Sequence, residues 1–365
     1  FNATDRTVKC GAGVVTEQLQ NFAAENNLYY PVDFASAGSS QIGGNIATNA
    51  GGIKVIRWGM TRDWILGLTV ITGSGELLEL NSGLIKNATG YDLRHLFIGS
   101  EGTLGLIVDA TVRLTTPPKE LSVMVLGINQ LSNVYPVMEL FQQKLALTAF
   151  EFFSEPAVQK VLEHQDLQRP FDSETPYYVL IEFENESEQS LETALECFED
   201  LVEQEFVLDG VISQSDSQAQ NLWSLRESIS ESISHYTPYK NDISVVPSKV
   251  NDFLTEVDAI VAEHYPTFEI IWFGHIGDGN LHLNILKPSE LSTEDFVAQC
   301  KQVNPLIFAK IEQMNGSISA EHGVGLVKKD YLKYSRSVAE INYMKQMKNI
   351  FDPNTVLNPG KMFDL

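Results

Sequence analysis

Two short apolar runs separated by a glycine-rich turn predict a β-hairpin in the last third of the chain. Residues 268–273 are β-branched and aromatic, as in a buried strand, whereas residues 281–285 alternate apolar and polar side chains, as in a half-buried strand. Gly277-Asp278-Gly279 between them is typical of a tight turn. Successive side chains of a strand point to opposite faces, so we expect His282 and Asn284 to share the polar face.

Strand-like and helix-like periodicities alternate through the middle of the chain. Strands are predicted at 121–128 and 177–183, and helices at 134–147 and 188–203. Two such strand-helix units on one sheet would give an enlarged ferredoxin-like α+β layer. Neither residue of Pro117-Pro118 can donate to a strand ladder, so a boundary is natural there. We therefore predict three parts, at residues 1–117, 118–325 and 326–365.

The excess of acidic side chains restricts the kinds of partner that the protein can bind. The 365 residues include 48 acidic and 25 basic side chains, a net charge of −23, whereas nucleic acid or an anionic membrane would require a basic face. The three cysteines, Cys10, Cys197 and Cys300, have no paired spacing. We expect the cytoplasm or an equivalent reducing compartment, with no transmembrane segment and no targeting sequence.

Metal-ligand side chains are concentrated in two short glycine-rich segments, 274–284 and 319–323. His275 and His282, with Glu321 from the second segment, would form a three-ligand set with open positions, which catalytic divalent metals require. His322, adjacent to Glu321 but pointing elsewhere, would be left to act as a base. Either segment alone fits a structural histidine or an ordinary turn, whereas the two together favour a functional site.

Glycine pairs in the N-terminal third of the chain predict a second binding region. Residues 43–52 combine two glycine pairs with hydroxyl and amide side chains, and such a loop could hold a pyrophosphate. Further glycine-punctuated segments lie at 57–63, 89–92 and 98–105. A rival nicotinamide-binding fingerprint from Cys10 to Asp33 fails, because Thr16 takes the third glycine position and Pro31 interrupts the second strand.

These segments, in this order, resemble the FAD-dependent D-2-hydroxyacid dehydrogenases. The resemblance includes Gly-His-x-Gly-Asp-Gly-Asn-x-His at 274–282 and Ala-Glu-His-Gly at 320–323, and it extends over nearly all of the chain. The family is the D-2-hydroxyglutarate and D-lactate dehydrogenase group of the vanillyl-alcohol-oxidase, or PCMH-type, flavoproteins. It implies part of a PCMH-type FAD-binding domain, a ferredoxin-like substrate domain that carries a metal site, and a C-terminal helical segment that returns to the FAD domain.

The resemblance also implies roles for individual residues. His275, His282 and Glu321 would bind a divalent metal, with zinc expected and manganese as the alternative, and His322 would be the catalytic base. The expected substrate contacts are Arg226, Ser230, Lys240 and Asn284, with Ser230 standing where relatives carry threonine. The expected FAD contacts are Pro31, Gly43, Gly44, Asn45, Thr48, Asn49, Gly51, Gly52, Gly59, Glu101, Gly102, Ile107 and Asn358.

The implied reaction oxidises a D-2-hydroxy acid, foremost D-2-hydroxyglutarate, with hydride transfer to flavin N5, metal polarisation of the hydroxyl and proton transfer to His322. D-lactate or another D-2-hydroxy acid is an alternative substrate. The expected partners are an electron-transfer flavoprotein, quinone or cytochrome as electron acceptor, and a second copy of the chain in a homodimer. Family members have a further flavin-binding segment before the position of Phe1, so we expect FAD to be absent or loosely held.

Two hypotheses that assign the chain to other functional classes remain open at this point. A metal-dependent hydrolase could use the same three ligands to activate water, although it would have no use for the glycine series between Gly43 and Gly105. A catalytically silent fragment would retain the metal motif without turnover.

Overall fold

The computed structural model describes residues 1–185 and 187–365. The chain divides into two compact units, Phe1–Pro117 with Glu321–Leu365, and Pro118–Ala320. Both units combine helices with antiparallel sheet, so the predicted α+β class is confirmed. Among the described residues, no helix is both long enough and apolar enough to cross a membrane.

The bounds of the elements are as follows. The strands are β1 (Thr7–Gly11), β2 (Ile65–Thr72), β3 (Leu77–Leu80), β4 (Gly105–Arg113), β5 (Leu121–Ile128), β6 (Leu147–Ser154), β7 (Tyr177–Glu184), β8 (Val207–Ile212), β9 (Tyr239–Ser244), β10 (Ile270–Gly274) and β11 (Asn280–Ile285). The helices are α1 (Thr16–Glu25), α2 (Ile42–Thr48), α3 (Val55–Trp58), α4 (Thr61–Trp64), α5 (Arg94–Phe97), α6 (Val134–Lys144), α7 (Glu155–His164), α8 (Glu188–Glu203), α9 (Asp216–Glu227), α10 (Ile229–Ser232), α11 (Val250–His264), α12 (Thr293–Gln313) and α13 (Val338–Phe351).

The first unit is built on a four-stranded sheet with the order β1-β4-β2-β3. Alternate residues of β4 face the core, where Ala110 and Val112 are fully buried, and α1 and α2 contribute further apolar side chains to the same cluster. Strand β1 pairs antiparallel with β4. A nicotinamide fingerprint needs a parallel strand pair at this place, so the geometry agrees with its rejection.

The C-terminal segment of the first unit is held by a buried ion pair. Lys348 on α13 is 3% exposed and Asp352 is 0% exposed, and the two side chains contact one another. The Lys348 ammonium also donates to the carbonyl oxygens of Thr103 at 2.8 Å and Leu357 at 2.6 Å. Because each charge is satisfied by the other and by backbone groups, the pair ties α13 to the segment that carries Thr103.

The second unit contains a seven-stranded antiparallel sheet with the order β8-β5-β7-β6-β10-β11-β9. Its first four strands, with α6 and α8 as connections, have the split arrangement of a ferredoxin-like layer. Strands β10, β11 and β9 enlarge that sheet. The predicted helix over 134–147 is too long by three residues, because Leu147 already begins β6, in which every side chain is buried.

The predicted hairpin forms between β10 and β11, with Phe273 opposite His282. Its turn is a short 3-10 segment, Ile276–Asp278, followed by Gly279 at φ +85°. A Cβ on Gly279 would lie 1.9 Å from the carbonyl oxygen of Val245, so no other residue fits there. The expectation that 281–285 would be half-buried is wrong, because β11 lies inside the sheet between β10 and β9 and all six of its residues are buried.

We predict that Lys348→Met lowers the free energy of unfolding by about 3–5 kcal/mol, because it leaves the buried Asp352 carboxylate without its cation. Urea denaturation followed by circular dichroism measures the change. Lys329→Met is the matched control, since Lys329 pairs with Asp364, whose side chain is 69% exposed, and little change is expected. Equal losses in the two variants would contradict the role of burial.

Candidate active site

Two histidines and a glutamate that are far apart in the sequence come close together. His275 follows β10, His282 lies on β11, and Glu321 is joined by one peptide bond to Ala320. One ring nitrogen of each histidine and one carboxylate oxygen of Glu321 all lie within 4.8 Å of one another. Three ligands that share one ion at about 2.0–2.2 Å lie up to about 4 Å apart. The observed spacing is thus close to the spacing that a shared ion requires.

His275 is oriented by a buried carboxylate. Its Nδ1 atom lies 2.8 Å from Oε1 of Glu151, a residue in the middle of β6 that is 1% exposed. A metal bond at His275 would therefore use Nε2, because Nδ1 is engaged with Glu151. This arrangement of carboxylate, imidazole and ligand site is the usual support of a metal-binding histidine.

The second histidine lies in a different polar environment. Asp242 on β9, 2% exposed, places its Oδ1 3.8 Å from Nδ1 of His282, too far for a hydrogen bond. The same oxygen accepts a hydrogen bond from Asn280 Nδ2 at 2.9 Å. The rings of His275 and His282 meet edge to face, with centroids 5.6 Å apart.

The polar face of β11 continues onto β9. His282 is opposite Asp242 and Asn284 is opposite Lys240, and residues opposite one another in an antiparallel pair share a face. Asn284 is 1% exposed and donates to the His282 carbonyl oxygen at 3.3 Å. Lys240 remains exposed, although partial desolvation lowers its pKa below the ordinary 10.5. The register therefore brings two predicted substrate contacts to the same face as one predicted metal ligand.

Arg226 lies in the interior and is not a surface cation. It is 5% exposed, its NH2 atom lies 2.7 Å from Oε2 of Glu151, and its guanidinium carbon is 4.8 Å from the ring centroid of Phe273. The expected continuous helix from Trp223 to Ser230 is interrupted, since α9 ends at Glu227 and α10 begins at Ile229. Ser228 keeps right-handed helical angles, and the predicted contact Ser230 is exposed on α10.

The predicted phosphate loop is helical over most of its length. Ile42–Thr48 form α2, because Ile42 and Ile46 lie one turn apart and both pack into the core. The Asn45 side chain is 6% exposed and donates to Thr16 Oγ1 at 2.6 Å, so it is engaged within the protein. The expectation of an open loop from residue 43 is wrong as far as residue 48.

The remaining predicted flavin contacts divide between the core and the surface. Pro31 and Ile107 are buried in the first unit, Asn49 ends α2, and Gly59 follows α3. A Cβ at Gly44 would meet nothing within 4 Å, and Thr48, one turn later, is also exposed. This open side of α2 fits the close approach of a cofactor.

Gly51 and Gly52 are required by close contacts of the backbone. Gly52 has φ +116°, and a Cβ there would lie 2.0 Å from the carbonyl oxygen of Asp33. A Cβ at Gly51 would lie 3.2 Å from Oε1 of Glu321. The glycine pair is therefore explained by packing inside the unit, and it lies directly beside a predicted metal ligand.

Glu101 fixes the loop that follows His322. Its two carboxylate oxygens accept hydrogen bonds from the consecutive backbone N–H groups of Val324 and Gly325, each at 2.7 Å. Asn358 Nδ2 in turn donates to the Glu101 carbonyl oxygen at 2.6 Å, and Gly102 packs against the same amide. The family resemblance implied cofactor contacts at Glu101, Gly102 and Asn358; in the structure Asn358 is hydrogen-bonded to Glu101 and lies against Gly102. His322 itself is exposed.

Sequence reasoning missed three side chains that surround the histidines: Glu151, Asp242 and Phe273. Glu151 had a visible signal, since a carboxylate within the run Phe150-Glu151-Phe152-Phe153 must be buried together with a partner. The identity of that partner could not be inferred, because His275 is 124 positions away.

Comparison with known proteins agrees with the geometry. The family described as FAD linked oxidases, C-terminal domain, matches residues 117–362, and the FAD binding domain family matches residues 1–81. A D-2-hydroxyglutarate dehydrogenase of Stutzerimonas stutzeri is 63% identical over 363 residues, covering 100% of this chain and 78% of that protein. One of Xanthomonas citri is 54% identical over 364 residues, covering 100% and 77%.

The fold is also found among solved structures. A 4-ethylphenol oxidase from Gulosibacter chungangensis, in complex with isoeugenol, matches with a TM-score of 0.71 at 14% identity, covering 99% of this chain and 77% of that one. At this identity the match shows the fold alone. Taken together, the family matches and the relatives show that the chain belongs to the FAD-linked oxidases. Within that family it falls in the group of FAD-dependent D-2-hydroxyacid dehydrogenases, which confirms the resemblance seen in the motifs.

We predict that Glu101→Gln speeds backbone hydrogen exchange in residues 321–327, because an amide can accept from only one of the two N–H groups that the carboxylate satisfies. Hydrogen-exchange mass spectrometry measures this change. Glu340→Gln is the control, since Glu340 accepts from the Ser337 N–H at 2.8 Å in the cap of α13. The control should affect exchange only around residues 337–340. Unchanged exchange at 321–327 in Glu101→Gln would contradict the assigned role.

Proposed function

We propose that the protein oxidises a D-2-hydroxy acid, D-2-hydroxyglutarate foremost, to the 2-oxo acid with FAD as hydride acceptor. The observation that carries the proposal is the cluster of His275, His282 and Glu321, whose ligand atoms lie within 4.8 Å of one another immediately before His322. In an FAD-linked oxidase chain, such a cluster supplies what an α-hydroxy acid needs beyond the flavin.

The donor set suits a divalent metal. Two imidazoles and one carboxylate are the protein ligands of many catalytic zinc sites, and they leave further positions open to substrate. When bound, FAD would supply a hydride acceptor and the divalent ion would supply Lewis-acid polarisation of the substrate. We propose zinc as the ion, with manganese as the alternative.

The residues around the cluster fit a dicarboxylate. The Arg226 guanidinium already pairs with Glu151, so it would contribute donor groups to a substrate carboxylate in an almost neutral environment. Lys240 adds an exposed ammonium on the strand beside Asn284. We propose that Arg226, Asn284 and the Ser230 hydroxyl orient the substrate and that Lys240 binds its second carboxylate. This second cation favours D-2-hydroxyglutarate over D-lactate.

His322 would accept the proton of the substrate hydroxyl. An imidazole is the side chain that most readily exchanges protons near neutral pH, and His322 is exposed beside a predicted metal ligand. The imidazole would take the proton of the hydroxyl, and bound FAD would supply the acceptor for the hydride of the same carbon, which balances the oxidation of the alcohol to a carbonyl. Glu101 would hold the loop that follows this histidine, through its bonds to Val324 and Gly325.

The proposal includes three further points. An external acceptor, either an electron-transfer flavoprotein, a quinone or a cytochrome, would reoxidise the flavin. Two copies of the chain would form a homodimer. A cytoplasmic or equivalent reducing compartment fits the three unpaired cysteines.

Dye-coupled oxidation of a panel of D-2-hydroxy acids tests the proposal, with FAD added and with and without a chelator. We expect chelator-sensitive oxidation, with the highest kcat/KM for D-2-hydroxyglutarate. Chelator-sensitive hydrolysis without flavin dependence would instead indicate a metallohydrolase, and the absence of any turnover with bound FAD and metal would contradict the proposal.

We predict that His322→Ala lowers kcat by about 10²–10⁴-fold, the usual contribution of a general base, without a change in metal content. Steady-state kinetics and elemental analysis measure the two quantities. His264→Ala, an exposed histidine at the end of α11, is the control and should keep full turnover. Normal turnover in His322→Ala would remove the base assignment.

We predict that KM for D-2-hydroxyglutarate rises with pH in the alkaline range, by about tenfold per pH unit above the pKa of Lys240. Partial desolvation lowers this pKa, so the rise should begin below 10.5. Lys240→Arg should abolish the rise, because a guanidinium stays charged throughout. Lys310→Arg, at a lysine paired with Glu256 on the surface, should leave it in place. An identical alkaline rise in Lys240→Arg would show that another group titrates.

A further inference from the structure

Five side chains of the second unit form a closed series of contacts around the two histidines. Glu151 contacts Arg226 and His275, at 2.7 Å and 2.8 Å. Arg226 lies over the ring of Phe273 at 4.8 Å, Phe273 packs against His282 with ring centroids 4.8 Å apart, and His282 meets His275 at 5.6 Å. A predicted substrate contact and two predicted metal ligands are thus joined through Glu151 and Phe273.

Glu151 is the charged member of this series with the least exposure, at 1%. A buried carboxylate is unfavourable unless its oxygens are satisfied, and here one oxygen faces His275 while the other faces Arg226. The carboxylate is itself almost completely excluded from solvent, so water does not take the place of either partner. These two contacts therefore restrict the orientation of the carboxylate.

We propose that Glu151 is a positioning residue for two parts of the site at once. Through Oε1 it fixes the proton of His275 on Nδ1 and the direction of the ring, so that Nε2 is directed to a metal. Through Oε2 it holds the Arg226 guanidinium where a substrate carboxylate would bind. This inference rests on the proposed function and adds a residue that neither binds substrate nor ligates metal.

A carboxylate is the side chain that the position requires. Both neighbours present N–H donors, and only a carboxylate offers an acceptor to each. In Glu151→Gln the amide oxygen can accept from one neighbour, while its NH₂ group meets a donor of the other. The substitution keeps the size of the side chain, so it changes the hydrogen bonds with little change in packing.

The test measures metal affinity in the full chain without substrate. Metal-stripped protein competes with a chromophoric chelator for Zn²⁺, and Co²⁺ loading gives a visible spectrum that reports ligand geometry. We expect Glu151→Gln to weaken Zn²⁺ binding by about 10–100-fold, the usual effect of removing the partner of a ligating histidine, and to alter the Co²⁺ bands.

Glu155→Gln is the matched control. Glu155 lies four residues further along, pairs with Arg169 at 2.6 Å and accepts from the Tyr178 hydroxyl at 2.7 Å, so it also has an arginine and a second side-chain partner. Neither partner belongs to the site. We expect this variant to bind Zn²⁺ like the wild-type protein and to show the same Co²⁺ spectrum.

A kinetic measurement tests the second half of the proposal. At saturating metal, Glu151→Gln should raise KM for D-2-hydroxyglutarate through the loss of Arg226 orientation, whereas Glu155→Gln should leave KM unchanged. Restoration of wild-type KM by excess metal would show that Glu151 acts on His275 alone and would overturn the double role.

The outcomes separate this inference from the proposed function. Wild-type protein that binds no divalent metal contradicts the metal site, whereas equal Zn²⁺ affinity in folded wild-type and Glu151→Gln protein overturns the role of Glu151. If Glu151→Gln fails to fold, Glu151→Asp serves instead, because its shorter carboxylate cannot span both contacts. Wild-type affinity in that variant would overturn the proposal in the same way.

Discussion

The burial of polar side chains on one face of the seven-stranded sheet is the constraint on which the candidate site depends. Glu151, Asp242 and Asn284 are each at most 2% exposed, in a sheet most of whose buried side chains are apolar. Desolvation of such groups is unfavourable by several kcal/mol unless each finds a partner. Their partners include Arg226, Asn280 and backbone carbonyl groups, so folding of the sheet and assembly of the site are one process.

The hydrogen bonds of each unit restrict a different part of the candidate machinery. In the second unit, Glu151 limits the movement of His275 and Arg226. In the first unit, Glu101 holds the backbone that follows His322. In both cases the two oxygens of one carboxylate contact two different partners, which fixes position more firmly than a single contact would. Rigid support of this kind keeps reacting groups within the small tolerances that catalysis requires.

The local pattern of apolar and polar residues was sufficient to predict the elements in which that pattern is strong. The bounds of β5 follow from its apolar run and those of α8 from its amphipathicity, and the hairpin of β10 and β11 follows from its glycine turn. Sequence patterns did not predict the structure correctly where packing between distant parts of the chain determines it. Residues 43–52 were expected to form a loop because of their glycines, but burial of Ile42 and Ile46 stabilises a helix as far as residue 48. The contact of Glu151 with His275 joins positions 124 apart, and no local signal specifies such a pairing.

In the proposed function, the net charge of the side chains around the site affects which substrate is preferred. Arg226 is matched by Glu151, so the pair has no net charge to offer a substrate. In the proposed function, the exposed Lys240, whose pKa is lowered by partial desolvation, would then be the cation that binds a second carboxylate. A monocarboxylate such as D-lactate would leave that ammonium without a counter-charge, whereas a dicarboxylate would neutralise it. In the proposed function, discrimination would thus come from the ion pair that only the longer substrate can form with Lys240.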